Sequence, residues 1–500
     1  MGAHAVPLSI SSNAPTVSLA TVFPGQQTTL TYTLSGMGGS TLQSVTLDLM
    51  SGADVAKSLS IPAGQPGAVI GTNTLTLNYA DLPPGGPYTI RVTPVCGSLV
   101  ATDWTRVTST SDPNLKFNGP RGLDINRRVG SPYYGRIYVT EGTAGAAGGR
   151  TTSKGLYIYN PDLTPAFSGP KMQTANFVAP LTTWYSGSSH SPFRVYVAPD
   201  DTVFVTDAAD AHPAVFFVNP DGDNIKALQA FPMPPGGSGN GVGLLKDANG
   251  VEVMGDTTSI WVEGSGANRK VYQAIQEIAP TNCVWSYDIP DGTENFVGAP
   301  TLVYQPILST TPGSGTASTP WYADFVRDSA GNGYTVNFNK DSNFKWDTFG
   351  GLAGTLPATN TGMTGICIDD AKDIILMCGL DGKIYKTNKA FDAVTPIISG
   401  LGATNRDVAL DGDGWIYVAN ETDKALEVFA PAGTYPVTGK VVSSTQTLSV
   451  YSVPTAGDIY PVGPAGIYFG LNGSRFGDGK VDMSDAIYSL RVFAGISTLP

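Results

Sequence analysis

Charge is scarce in this chain. Only 14% of its 500 residues are Asp, Glu, Lys or Arg, and 41 acids outnumber 29 bases for a net charge of −12. Nucleic acids and anionic membranes are bound by clustered Lys and Arg, and no basic run occurs, so neither is an expected partner. Histidine is rarer still, with His4, His190 and His212 in the whole sequence. Neither Gly-x-Ser-x-Gly nor His-Glu-x-x-His occurs, which removes two common hydrolase signatures. The four cysteines, Cys96, Cys283, Cys367 and Cys378, lack metal-site spacing. Cys367 and Cys378 are expected in neighbouring strands of one hairpin but not opposite each other, which predicts buried thiols rather than a disulfide. No apolar run approaches the ~20 residues of a membrane-spanning helix. The start, Met1 to Pro7, has no basic region and no apolar stretch, so it reads as a mature or trimmed sequence rather than a complete signal peptide.

What the chain does have is 60 Gly, 37 Pro and 10% aromatics, with Thr, Val and Tyr throughout. This is the composition of solvent-exposed strands. The stretch Asn405 to Ala430 holds two short apolar strands, Val408-Ala409-Leu410 and Ile416-Tyr417-Val418. They are split by Asp411-Gly412-Asp413-Gly414, a turn built from side-chain acceptors and permissive backbone. A third strand, Leu426 to Phe429, follows. That third strand recurs at Leu156 to Tyr159, Val215 to Val218, Val284 to Tyr287, Phe344 to Trp346 and Lys383 to Tyr385. The middle strand recurs at Ile137, Val203, Tyr334, Ile374 and Ile416. Tyr138, Phe204, Tyr334 and Tyr417 are expected to hold equivalent places, each ahead of an acid or amide: Glu141, Asp207, Asn337 and Asn420. Repeats of about 40 to 70 residues with four strands each predict a β-propeller, since a lone blade cannot bury both faces. Six blades are counted. Long gaps before Val284 and Phe344 imply insertions or a seventh.

Pro120-Arg121-Gly122-Leu123-Asp124-Ile125 followed by Gly135-Arg136-Ile137-Tyr138-Val139 resembles the NHL type of propeller blade. The resemblance covers roughly residues 115 to 436. It implies the fold and leaves the activity open, because one fold hosts many functions. Leu115-Lys116-Phe117 is expected to close the ring as the outer strand of the last blade, after a linker from Thr108 to Asn114. Residues 1–110 show period-two strands around Leu30, Val45, Leu75 and Tyr88, which predict a β-sandwich. Leu82-Pro83-Pro84-Gly85-Gly86-Pro87-Tyr88-Thr89-Ile90-Arg91-Val92 resembles the last hairpin of bacterial Ig-like modules, which serve as spacers or binding surfaces. The expected architecture is all-β: an Ig-like sandwich over 1–110, a six-bladed NHL-like propeller over 111–436, and an extended segment with a short loop-helix over 437–500.

The end of the chain, Asn472 to Ala486, resembles one half of a type I dockerin. That family's loop binds calcium through oxygen ligands ahead of a helix. Asp478, Asp482 and Asp485 match three ligand positions, but two others fall on Ser474 and Phe476. Calcium, where bound, is therefore expected to bind weakly. The alternative is a degenerate loop that keeps its turn without metal. Ile487, Leu490 and Phe493 form an apolar stripe at helical spacing, either a docking face or a surface that packs on the chain's own propeller. Catalytic candidates are Asp124, Glu141, Asp207, Asp256, Asp324 and Asp407, each at a strand end or turn where Asp commonly bonds locally. No catalytic set is enforced by their spacing, and structural use is the favoured reading. Asn420-Glu421-Thr422 and Asn472-Gly473-Ser474 are glycosylation sequons.

These readings predict a secreted structural or adhesive protein of the cell surface or extracellular matrix. Its partners would be copies of itself, another surface protein, or glycans. Joining would run end to end, with the stretch around Thr447 to Val453 as a strand offered to a neighbour's sheet edge. The alternative is an extracellular propeller lactonase or lyase acting on polysaccharide or small esters.

Overall fold

The computed structural model describes residues 8–177, 183–209, 214–228, 245–246, 252–253, 256–276, 283–289, 297–304, 322–338, 343–356, 361–451, 468–469 and 474–475. Among them the chain is all-β, with strands in separate sheets, a few 3-10 turns and no α-helix. It divides into two compact units. One comprises Met1–Ile10, Ser35–Leu42 and Cys96–Thr438; the other comprises Ser11–Leu34, Gln43–Val95 and Gly439–Pro500.

Among its described residues the larger unit carries, besides two two-stranded hairpins and the strands Leu8–Ser12, Ser98–Ala101 and Gly433–Gly439, six antiparallel sheets of three or four strands in chain order. The first is Pro120–Ile125, Ile137–Glu141 and Gly155–Tyr159, with isolated bridges from Leu156 to Lys171 and Tyr159 to Pro165 at its outer edge. The second is Val195–Val197, Val203–Asp207, Ala214–Val218 and Lys226–Ala227. The third is Asp256–Glu263, Arg269–Gln276, Cys283–Ile289 and Val297–Tyr304. The fourth is Tyr322–Arg327, Gly333–Asn337, Phe344–Trp346 and Leu352–Thr355. The fifth is Met363–Asp369, Ile374–Gly379, Ile384–Thr387 and Thr395–Ile398. The sixth is Asn405–Leu410, Ile416–Asn420 and Ala425–Ala430, with Thr105–Arg106 along its outer edge.

The turn at Asp411 shows why the strands end where they do. Its Oδ1 accepts the backbone N–H groups of Asp413 (2.9 Å) and Trp415 (2.8 Å). Gly414 beside it takes φ +91°, a conformation that costs glycine little. The first strands of successive sheets neighbour one another, and that of the sixth neighbours that of the first. The apolar cores lie between sheets rather than within them. Tyr138, Leu156 and Ile158 of the first sheet pack with Val205 and Phe216 of the second. Leu123, Val139 and Tyr157 of the first pack with Ala409, Tyr417 and Val428 of the sixth. Each sheet thus buries both faces, which a single four-stranded sheet cannot do alone.

Two expectations change. The outer strand of the sixth sheet is Thr105–Arg106, with Thr105 opposite Ala430 and Arg106 opposite Phe429. Leu115-Lys116-Phe117 adds to the same edge an isolated bridge from Lys116 to Ala425 and the Phe117 N–H bonded to the Lys424 carbonyl at 2.9 Å. Between the two, Asp112 caps a 3-10 turn over Pro113–Leu115, its Oδ1 accepting the N–H of Asn114 at 2.9 Å, which interrupts the edge strand. The second change concerns the long gap before Val284, which holds two more strands of the same sheet, Asp256–Glu263 and Arg269–Gln276. Polar Lys270, Gln273 and Gln276 interrupt the apolar pattern there.

Among its described residues the smaller unit has two larger sheets and a two-stranded one, Tyr468–Phe469 with Ser474–Arg475. In one, Gln27–Gly36 pairs with Thr16–Val17 on one side and Gly71–Asn78 on the other. The second runs in the order Thr21–Val22, Val442–Val450, Gly85–Cys96, Leu42–Ser51, Asp54–Pro62. Leucines from both, including Leu30, Leu47, Leu49 and Leu75, line a shared apolar cavity of about 220 Å³. The stretch around Thr447 to Val453, expected as a strand for a neighbour's edge, therefore has partners in its own chain. Val442–Val450 pairs antiparallel with Gly85–Cys96 and parallel with Thr21–Val22.

Candidate functional site

One position in each first strand faces a residue close to the end of the second strand. Ser259, Asp324, Gly365 and Asp407 follow a register shift and face Ala274, Val336, Cys378 and Ala419. Gly122 and Arg194 hold the same place. Their N–H groups donate to Thr140 Oγ1 (2.7 Å) and Thr206 Oγ1 (3.0 Å). The six residues are Gly, Arg, Ser, Asp, Gly and Asp. Two positions further along, Asp124, Tyr196, Val326 and Ala409 face Tyr138, Phe204, Tyr334 and Tyr417, so the four aromatic rings are in one register, as expected.

Arg194 fills the space these six positions surround. Its side chain is 3% exposed. Nη1 donates to the carbonyls of Arg121 (2.7 Å) and Arg406 (2.8 Å), and Nη2 donates to those of Ala323 (3.4 Å) and Thr364. One side chain from the second sheet thus bonds the backbones of the first, fourth, fifth and sixth. Nε lies 3.6 Å from Asp324 Oδ2 and Nη1 lies 3.5 Å from Asp407 Oδ2. Glycine at two of the other places makes the room. A Cβ on Gly122 would sit 2.5 Å from the Phe193 carbonyl oxygen, and one on Gly365 would sit 2.7 Å from Asp407 Cα.

Three of the candidate acids converge here. Asp124 accepts the N–H of Ile125 (2.8 Å) and, from the second sheet, that of Val197 (2.7 Å). Asp324 accepts the N–H of Phe325 (2.9 Å), the hydroxyl of Ser259 on the third sheet, and the N–H of Ile366 on the fifth (3.1 Å). Asp407 accepts the N–H of Val408 (2.9 Å) and that of Leu123 on the first (2.8 Å). Each carboxyl joins its own sheet to the next one round. Burial pushes all three up from the ordinary carboxylate range, Asp407 well above it, against the lowering pull of Arg194 on Asp324 and Asp407 and of Arg127 on Asp124. Two guanidinium groups face three carboxyls, and burial favours the neutral form of a carboxyl in such a set.

The cavity beside these groups measures about 40 Å³, space for a few waters against the ~300 Å³ and more of ordinary small-ligand sites. Among the described residues no three His, Cys, Asp or Glu side chains are placed to hold a metal ion.

The remaining candidates serve elsewhere. Glu141 accepts the N–H groups of Asn118 and Gly119, both at 2.7 Å, and of Thr143 at 3.1 Å. Asp207 accepts Ser191 Oγ (2.5 Å) and the N–H of Ala209 (3.1 Å). His190 sits edge-on to Phe193, ring centroids 5.3 Å apart. Cys367 and Cys378 are buried thiols in adjacent strands, facing Leu376 and Gly365 rather than each other. The sequon residue Asn420 is buried, its Nδ2 donating to Asn405 Oδ1 (2.9 Å), which leaves the folded chain no amide to glycosylate there. The side chain of Asp256, together with His4, His212, Asn472, Asp478, Asp482, Asp485, Ile487, Leu490 and Phe493, lies outside the described residues. Arg194 itself escaped sequence reasoning. Its signal was alignment: in the register of the second strands it falls where the other sheets carry Gly, Ser or Asp.

No protein-family model matches the chain, and no curated protein matches it. Among solved structures it is similar to a structural-genomics protein of unknown function from Bacteroides thetaiotaomicron VPI-5482. The TM-score is 0.42 and the identity 12%, over 85% of this chain and 98% of that one.

Proposed function

We propose that the six sheets are blades of an NHL-like propeller with a solid hub, and that the smaller unit is an Ig-like sandwich. The protein is a secreted structural or adhesive component of a cell surface or extracellular matrix. It assembles end to end through its terminal modules, with copies of itself, another surface protein or glycans as partners. One observation carries this reading: where a propeller enzyme keeps its substrate and ion, this chain keeps Arg194, bonded to the backbones of four other sheets. Calcium at Asp478, Asp482 and Asp485 is part of the proposal as a weak modulator of the C-terminal module, to be measured by calorimetry against a chelator control.

The test is growth. Light scattering from low to high micromolar protein, with electron microscopy of the native purified material, is expected to show filaments that lengthen with concentration. A monomer at every concentration overturns the reading. The alternative, an extracellular lactonase or lyase, draws on the convergence of Asp124, Asp324 and Asp407. It ranks second because Arg194 occupies the space between them and the cavity beside them is only about 40 Å³. Turnover of simple lactones or acidic polysaccharide that is lost in Asp407→Asn would promote it.

A further inference from the structure

We infer that the channel between Thr21–Val22 and Gly85–Cys96 is a strand-acceptor site, and that in the assembled protein the strand seated in it comes from a second copy. The inference rests on the end-to-end assembly proposed above and names its joint. All the other strands of this sheet lie between residues 21 and 96, whereas the seated one is Val442–Val450. It sits in the interior of the sheet, with a neighbour on each side. The seat reads its occupant by more than ladder bonds. Val17 N–H donates to Gln446 Oε1 (3.1 Å), Ile90 N–H to Ser444 Oγ (3.0 Å), and Tyr79 OH to the Tyr451 carbonyl (2.9 Å). The Phe23 and Tyr451 rings pack with centroids 5.4 Å apart. Leu448 and Val450 are buried in the core.

An empty seat would strand those donors and open the core beneath them, so the sheet requires an occupant. Every contact is the same whether the strand comes from the same copy or the next, so concentration and chain connection decide the source. Only Lys440 and Val441 separate the strand from the one before it, and Val441 is 57% exposed. A short connection of this kind favours exchange. The donated surface and the accepting surface are different patches, so the contact is heterologous and propagates as a filament when it does not close a ring.

Thr89 and Thr447 are Cα partners across the joint. Thr89→Cys and Thr447→Cys, each in a Cys96→Ser background and carrying different tags, are co-expressed and oxidised. A covalent dimer containing both tags is expected, absent from either variant alone. The double variant in one chain is expected to give a ladder of covalent multimers. If filaments form but the double variant yields only an internally bonded monomer, this joint is wrong while the assembly reading stands. If no multimer forms under any condition, both fall. A second arm needs no variant: a synthetic peptide of residues 442–451 in tenfold excess during assembly is expected to lower scattering at least severalfold by filling seats. Unchanged filament length overturns the inference.

Discussion

Arg194 is a buried charge whose partners are all fixed: four carbonyls and two carboxyls. Removing it leaves Asp324 and Asp407 buried without a cation, the costly way to break a buried pair. Arg194→Met is expected to lower stability by about 3–5 kcal/mol in denaturant unfolding. Adding Asp324→Asn and Asp407→Asn is expected to recover part of that loss, because the uncompensated charge goes too. Glu427 offers a pH test. Burial pushes its pKa up to about 7, although Arg106 Nη2 lies 2.6 Å away. Between the unfolded value of about 4.5 and the folded value of about 7 the native state holds the extra proton, so stability falls as pH rises through that window. Asp112 and Asp411, each raised by burial to about 6, act in the same direction. Unfolding midpoints measured from pH 4 to 8 are expected to decline. Glu427→Gln should flatten the decline by up to about 3 kcal/mol, since one pKa unit is worth about 1.4 kcal/mol. An unchanged slope would rule out Glu427 as a source.

The strands show what the sequence could and could not disclose. All six third strands and the five middle strands fall where runs such as Leu156-Tyr157-Ile158-Tyr159 and Ile416-Tyr417-Val418 put them, because both sides of these strands are buried and demand unbroken apolar runs. The first strands were harder to see. A register shift beside Asp324, Gly365 and Asp407 breaks their period, and polar residues are held there by contacts with other sheets that no local pattern encodes. The same reason hid the cluster around Arg194: Asp124, Asp324 and Asp407 were legible as strand-end acids, but their meeting point depends on the order of six sheets. The shift also makes a prediction. Gly365→Ala would place a methyl 2.7 Å from Asp407 Cα. Overpacking of this kind typically costs about 1–3 kcal/mol, to be read as a lower melting temperature, whereas Gly400→Ala has open space around its Cβ and is limited by its φ of +83° alone.

Over the six-sheet unit as a whole, the sixth sheet is the one assembled from both ends of the array. Thr105–Arg106 lies along Ala425–Ala430, and the Val107 N–H continues the ladder to the Val428 carbonyl at 2.8 Å. Val107→Pro removes that donor and sets a rigid ring against the edge. It is expected to cost about 1–3 kcal/mol and to open the segment around Thr108 to Asn114 to limited proteolysis. A variant as resistant to protease as the parent would show that closure depends on Lys116 instead.

That seam decides how the unit behaves under load. Along the seam the chain runs in through Ser98–Ala101 and Thr105–Arg106 and out through Ala425–Ala430 and Gly433–Gly439, the last bordered on its other side by Leu8–Ser12, with Pro436 opposite Ser98, Gly433 opposite Ala101 and Ala430 opposite Thr105. Incoming and outgoing strands run antiparallel side by side, so a pull on the two ends peels them apart one bond at a time instead of shearing many together. The outer pair at Ser98 and Pro436 parts first, then Thr105 and Ala430, while the other five sheets carry no tension. On the end-to-end assembly proposed above, each six-sheet unit would act as a fuse, paying out a short length of strand at low force and re-zipping when the strain is gone.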